Sequence, residues 1–269
     1  MKNLELPNID NVKLWEDIVS HRRIVSRELL KSYKRKVIDR YTDYEKNFTS
    51  LDSIKPLTTS TWSAVKDELT GLYGDNVEFK KTKKVLFNTV KCPYCTLSRP
   101  NTLDHYFDKS DYPEFSVFTP NLVPCCSECN GLKGTIVFDD KNKRPFIHFY
   151  LDNLPDYKFL FVRFNLINQI PEVSIEFCFK EDEPMKDQIQ SHFARLNLIN
   201  KYKEVINEKI SIIIGEIQMA KRDGDDITVI CRTLTNRYIS FVNNLGENYW
   251  ETCMYEGVLS SDGFIESIV

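Results

Sequence analysis

Two cysteine pairs, Cys92-Pro-Tyr-Cys95 and Cys126-Ser-Glu-Cys129, stand thirty residues apart. This spacing constrains the fold more than any other feature of the chain. Two C-x2-C pairs supply the four thiolates of one tetrahedral zinc. Metal bound there ties the start of the insert to its end. The insert reads as too poor in apolar residues to hold itself, and structural zinc contributes such folding energy outright. Cys125 adjoins Cys126, but the spacing to Cys129 favours Cys126 as the ligand.

Three further cysteines, Cys178, Cys231 and Cys253, stand singly in apolar segments and are expected in the core. Clustered pairs with isolated thiols fit a reducing cytoplasm and one metal site better than a secreted disulfide scaffold. The amino terminus lacks the basic start and apolar run of a signal peptide. No apolar stretch approaches a membrane span. A cytoplasmic protein without a membrane partner is therefore expected, and 269 residues allow one large domain or two small ones.

The net charge of -3 hides an asymmetry. Residues 1–91 carry 18 Lys+Arg against 13 Asp+Glu, and residues 92–269 carry 18 against 26. The bases gather at Arg22-Arg23, Arg27, Lys31, Lys34-Arg35-Lys36 and Arg40, then at Lys80-Lys81, Lys83-Lys84 and Lys91. Such clusters either track a phosphate backbone or form a solvated helix face. Arg35, Lys83 and Lys84 are the nucleic-acid-binding candidates. From Leu245 onward the chain has Glu247, Glu251, Glu256, Asp262 and Glu266 and no base.

The apolar pattern predicts an α+β protein in three parts. Residues 1–84 form a helical region with a basic face. Within it, residues 9–49 repeat Trp15, Ile18, Val19, Leu29, Leu30, Val37, Tyr41 and Tyr44 at helical spacing, as one helix or two. A second helix is expected over 62–72, capped by Ser60 or Thr61 and ended by Gly74-Asp75-Asn76. Residues 85–180 hold a short β-leaning segment (85–91), the cysteine clamp, and strands at 146–150, 159–164 and 173–177 forming a small antiparallel sheet. Residues 181–269 return to helix, broken at Asp223-Gly224-Asp225.

Inside the clamp, Thr102-Leu103-Asp104-His105-Tyr106 alternates like a strand. Glu114-Phe115-Ser116-Val117-Phe118 is its expected hairpin partner, and Pro120-Asn121-Leu122-Val123-Pro124 a turn. A helix is expected from Ser127 through Asn130 to Lys133, stopped by Gly134. Asp104-His105, Asn121 sixteen positions on and Asn130 nine further, set between paired cysteine knuckles, resemble the HNH (ββα-metal) nucleases, in their zinc-stapled branch. The resemblance covers about 92–136. The flanks, such as Phe146-Ile147-His148-Phe149-Tyr150 and His192-Phe193-Ala194-Arg195-Leu196, look more loosely like HNH effectors of bacterial anti-phage defence systems of Septu or retron type.

The resemblance implies a role for each matching residue. His105 becomes the general base, since an imidazole near its normal pKa takes a proton from water at neutral pH. Asp104 binds a divalent ion, with Asn130 as a second oxygen ligand where other members use histidine; Mg²⁺ or Mn²⁺ suits such donors. Asn121 holds the hairpin loop and orients the histidine. Cys92, Cys95, Cys126 and Cys129 carry structural zinc, and Lys133 touches a phosphate or lies on the surface. The implied activity is hydrolysis of DNA, or of RNA, as the effector of a defence complex with an ATPase partner or a second copy. The alternative is a zinc-stabilised nucleic-acid-binding or adaptor protein without catalysis. His148 on its apolar segment is expected as a packed core residue, and His21 and His192 as surface or structural ones.

Overall fold

The computed structural model describes residues 1–74, 76–167, 170–261 and 263–268. Asp75 and Asp262, named above in a helix stop and in the acidic terminus, lie outside them. The chain forms two compact units, Asn3–Asp152 and Asn153–Val269 joined by Met1–Lys2. The fold is α+β, with small antiparallel sheets and many helices. Among the described residues, no helix is long and apolar enough to cross a membrane.

In the unit Asn3–Asp152, α1 (Asn11–Ser20) starts where the Asp10 side chain accepts from Lys13 N at 2.9 Å, satisfying one of the free amides of a first turn. α2 (Ile24–Lys46) follows, so the helical stretch over 9–49 is two helices. The expected helix over 62–72 is instead two short pieces, α3 (Thr59–Trp62) and α4 (Lys66–Gly71). α5 (Val77–Leu86) takes only the first two residues of the β-leaning segment 85–91, and the rest forms no strand. The helix's start signal is Asn76, whose side chain accepts from Glu78 N at 2.8 Å and Phe79 N at 3.4 Å.

β1 (Thr102–His105) pairs antiparallel with β2 (Leu122–Cys125), with Asp104 opposite Val123 and His105 opposite Leu122. This corrects the expected hairpin. Pro113–Phe115 is a 3-10 turn inside the loop between the strands, and the residues read as a turn supply the partner strand. The reason is burial: Phe115 and Phe118 dock on α2, and Tyr112 packs on Phe115 and Phe107, so these rings do not alternate between faces. Tyr44 meets Phe115 and Phe107 edge-on at 5.0 and 5.4 Å, and Tyr41 stacks on Phe118 at 4.3 Å. The insert therefore has an apolar core of its own, built with α2. α6 (Ser127–Lys133) ends at Gly134, whose φ of 54° suits glycine.

In the second unit, β3 (Leu160–Ile167) and β4 (Ile170–Phe177) form a hairpin, whereas residues 146–150 form no strand and lie buried in the first unit. The helices α7 (Lys186–Arg195), α8 (Leu198–Arg222), α9 (Ile227–Leu245), α10 (Trp250–Ser260) and α11 (Phe264–Ile268) complete it. α10 puts part of the acidic carboxyl-terminal stretch in the core, while Glu247 and Glu266 on either side of it are exposed. Thr252, Cys253, Met254 and Val258 are fully buried, and Cys253 Sγ donates to Leu160 O at 3.2 Å. Cys178, expected in the core, is exposed.

Gly257 lets α10 approach β3, because a β-carbon there would lie 2.5 Å from the Val162 carbonyl oxygen. Gly257→Ala should therefore destabilise the protein by about 1–3 kcal/mol. Gly215, inside α8 with nothing within 4 Å of a built β-carbon, should tolerate alanine and gain about 0.5–1 kcal/mol. Thermal denaturation of the two variants checks both signs; equal shifts would refute the close approach.

Candidate active site and metal centre

The Sγ atoms of Cys92, Cys95, Cys126 and Cys129 lie within 4.8 Å of one another, all buried, with Cys95 and Cys126 Sγ 3.9 Å apart. Tetrahedral zinc at about 2.3 Å from each sulfur sets the sulfurs about 3.8 Å apart, so the cluster fits a metal such as zinc. The second knuckle is shaped by α6: Cys126 caps the helix, its Sγ accepting from Cys129 N at 3.5 Å. Mutual hydrogen bonds among the four thiols push Cys126 down and Cys129 and Cys92 up, and a bound metal would take all four as thiolates. Cys125 is not part of this cluster; burial, then the Asp104 charge, push its thiol up.

Each knuckle also delivers one side chain to Asp104. Tyr94, inside the first, donates its hydroxyl to Asp104 Oδ2 at 2.6 Å. Lys133, four residues past the second, places Nζ 3.0 Å from Asp104 Oδ1 and 3.1 Å from the His105 carbonyl oxygen. The ion pair is inside the protein, with side-chain exposures of 1% and 2%. Burial pushes the Asp104 carboxyl up, and Lys133 and Tyr94 pull the other way. Lys133 is therefore not a surface lysine, and its ammonium is paired with a buried carboxylate in this structure.

Adjacent strand residues point to opposite faces, so His105 and Asp104 part company. On the Asp104 face, Asn130 Nδ2 donates to Thr102 Oγ1 at 3.3 Å. Asn130 and Lys133, one helical turn apart on α6, thus look onto the same face of β1. On the other face, His105 is 9% exposed. Its Nε2 donates to Ser116 O at 2.9 Å, which leaves the Nδ1 lone pair available. Burial lowers its pKa to about 4, partly offset by the Ser116 carbonyl, so the ring is neutral at neutral pH but a weaker base than the imidazole of normal pKa expected from the sequence. The Tyr73 ring meets it edge-on at 4.5 Å.

Asn121 is fully buried and clamps the loop that reaches His105. Its Oδ1 accepts from Phe107 N at 2.8 Å, and its Nδ2 donates to Phe107 O at 3.0 Å. Tyr94, Tyr73 and Ser116 escaped the sequence reading. Only Tyr94 had a usable signal, its place between two metal-ligand cysteines. His148 is fully buried, with Nε2 3.1 Å from Tyr44 Oη, and His192 is buried in α7.

The basic clusters sort by partner. Arg40 is 9% exposed and donates to Glu114 Oε1, Asp43 Oδ2 and the Lys55 carbonyl, so it is structural. Arg22 pairs with Glu68, Lys31 with Glu28 and Lys34 with Glu16. Arg35 is open to solvent, with Asp39 at 3.6 Å, and Lys84 is exposed. Lys83 is half-buried, its Nζ 4.2 Å from the centre of the Tyr73 ring.

No protein-family profile matches the chain, and no solved structure matches it. Among curated proteins it is similar to Protein ea31 of Escherichia phage lambda, 26% identical over 237 residues, 80% of this chain and 79% of that protein. It is also similar to Septu protein PtuB of Bacillus thuringiensis, 38% identical over 63 residues, 22% of this chain and 23% of that protein.

Purified protein should carry about one zinc per chain, and losing any of Cys92, Cys95, Cys126 or Cys129 should unfold the insert, since metal binding and folding are coupled. Cys125→Ser should leave the zinc content unchanged. Elemental analysis and circular dichroism read both outcomes; folded protein without metal would refute the centre.

Proposed function

We propose that the chain is a metal-dependent endonuclease that hydrolyses phosphodiester bonds of DNA. The observation that carries this reading is His105. It is a buried, neutral imidazole, its Nε2 tied to Ser116 O and its Nδ1 left as an acceptor, at the end of a strand whose other face bears Asp104 and looks onto Asn130. Orienting one ring nitrogen through a bond to the other is how a histidine is prepared as a base. The strand, strand and helix order with a cysteine staple also supports the HNH resemblance.

In this reading, His105 Nδ1 accepts a proton from a water molecule, and the oxygen attacks phosphorus in line. The P–O3′ bond breaks, leaving 5′-phosphate and 3′-hydroxyl ends, and the 3′ oxygen takes a proton from solvent. Asn121 keeps the loop, and hence Ser116, in place to aim the ring. Asp104 and Asn130 offer carboxylate and amide oxygens of the kind that Mg²⁺ or Mn²⁺ prefers, and an ion held by them would stabilise charge on the phosphate. Lys133 and Tyr94 already hold Asp104 Oδ1 and Oδ2, so an ion must share that carboxylate or displace one of them. The site thus fits a divalent cation in donor type, with a competing cation built in.

Nicking of supercoiled plasmid with added Mg²⁺ or Mn²⁺, lost in EDTA and regained on adding the ion back, tests the activity. His105→Ala should lower the rate about 10²–10⁴-fold with the fold retained; near wild-type cutting by this variant would sink the assignment. Asp104→Asn and Asn130→Ala should each raise the Mg²⁺ or Mn²⁺ concentration needed. Unchanged titrations in both would remove the ion from Asp104 and Asn130. A binding or adaptor protein is the reading that remains if wild-type protein never cuts.

We further propose that the nuclease works in an anti-phage defence complex, with an ATPase partner or a second copy. The similarity to Septu protein PtuB supports this setting, and so does the large share of chain outside 92–136. The acidic carboxyl-terminal stretch, whose Glu247 and Glu266 are exposed, and the helices over 185–244 are the candidate docking surfaces. Light scattering of the protein alone and with the product of its neighbouring gene is expected to show an assembly; a monomer cutting at full rate and binding no neighbour would end the proposal.

A further inference from the structure

Three successive residues, Asp104, His105 and Tyr106, turn electronegative groups onto one ammonium. Lys133 Nζ lies 3.0 Å from Asp104 Oδ1, 3.1 Å from the His105 carbonyl oxygen and 5.6 Å from the centre of the Tyr106 ring. A carboxylate, a carbonyl and an aromatic ring around one point make a cation seat. Here the cation is a side chain of the protein itself.

The position of Lys133 in the chain is unusual for so deep a charge. Its side chain is 1% exposed, yet Gly131, Leu132, Gly134, Thr135 and Ile136 around it are all exposed. The ammonium therefore reaches inward from a surface turn at the end of α6. A buried ion pair adds little net stability over apolar residues of like shape, whereas removing one partner strands the other. Asp104 thus needs a cation, and the fold supplies one from a segment at the surface. Mg²⁺ and Mn²⁺ favour oxygen donors of the kind that Nζ holds, so the two kinds of cation compete for one seat.

We infer that Lys133 is a tethered stand-in for the divalent ion: it holds the Asp104 seat closed, and Mg²⁺ or Mn²⁺ enters only in exchange for it. The ammonium thereby sets the ion concentration that the protein needs. Exchange also frees the His105 carbonyl, so ion loading is felt in the backbone of the proposed base. The choice of Asp104 as an ion ligand rests on the nuclease reading; the hold of Lys133 on the seat does not.

Mn²⁺ titrated into zinc-loaded, full-length protein without DNA, with free Mn²⁺ read by electron paramagnetic resonance, tests the exchange. Lys133→Met keeps the stem and removes the charge, and should bind Mn²⁺ about 10-fold more tightly than wild type, the scale on which neighbouring groups tune metal affinity. Adding Asp104→Asn to that variant should abolish the gain, and Lys133→Arg, which keeps a cation in the seat, should show none. Should Lys133→Met be unfolded in chelator, Mn²⁺ should restore its circular dichroism, because an ion bound only by the folded form stabilises it. Wild-type affinity in folded Lys133→Met, failure of Mn²⁺ to refold an unfolded one, or a gain that survives Asp104→Asn would each overturn the exchange. Plasmid nicking by wild type beside an unchanged Lys133→Met affinity would keep the nuclease reading and end the exchange. Tighter binding by Lys133→Met, in a protein whose wild type never nicks, would do the reverse.

Discussion

A carboxylate with 2% exposure, Asp104, needs partners or it would not stay buried. The chain answers with a phenol from one cysteine knuckle and an ammonium from the helix that follows the other. Tyr94 and Lys133 can both reach Asp104 only if the two knuckles are held together, which is what four clustered thiols do when metal joins them. The staple and the buried acid are therefore one device. Lys133 extends it by bonding the His105 carbonyl, so the same ammonium ties the backbone of the proposed base to its acidic neighbour.

The N-terminal helices enter the chemistry indirectly. The loop between β1 and β2 carries Ser116, which orients His105, and Asn121, which pins Phe107. That loop is held by aromatic rings on α2 and by the Arg40–Glu114 ion pair, whose carboxylate is 1% exposed and pushed up by burial. A residue in the basic run thus supports the site from behind. The similarity to a phage lambda protein spans four-fifths of the chain at modest identity, whereas that to the Septu protein spans under a quarter, so the two comparisons speak for different extents of the molecule.

Much of the motif region was legible in residue order. C-x2-C spacing, the Asp104-His105 dipeptide on a strand, a helix from Ser127 and a glycine stop at Gly134 follow from local rules: ligand spacing, alternation and capping. The helical character of 9–49 and the break near Gly224 were equally local, whereas periodicity left open whether 9–49 is one helix or two. What failed was of another kind. Glu114–Phe118 alternates like a strand yet is a 3-10 turn, because its aromatics are claimed by α2 from seventy residues away. Residues 146–150 read as a strand but lie buried without one, and Trp250–Ser260 within the acidic stretch form a core helix.

The sequence by itself determined where the two cysteine pairs and the Asp104-His105 dipeptide fall along the chain, because that depends on side-chain type and short spacing. Only the tertiary structure decided which atoms the side chains spend on each other. Lys133 turned inward to a buried acid and Arg40 to Glu114, although both are the same kind of positive charge in the sequence. A charge is assigned by what stands within a few ångströms of it, and those neighbours come from distant parts of the chain.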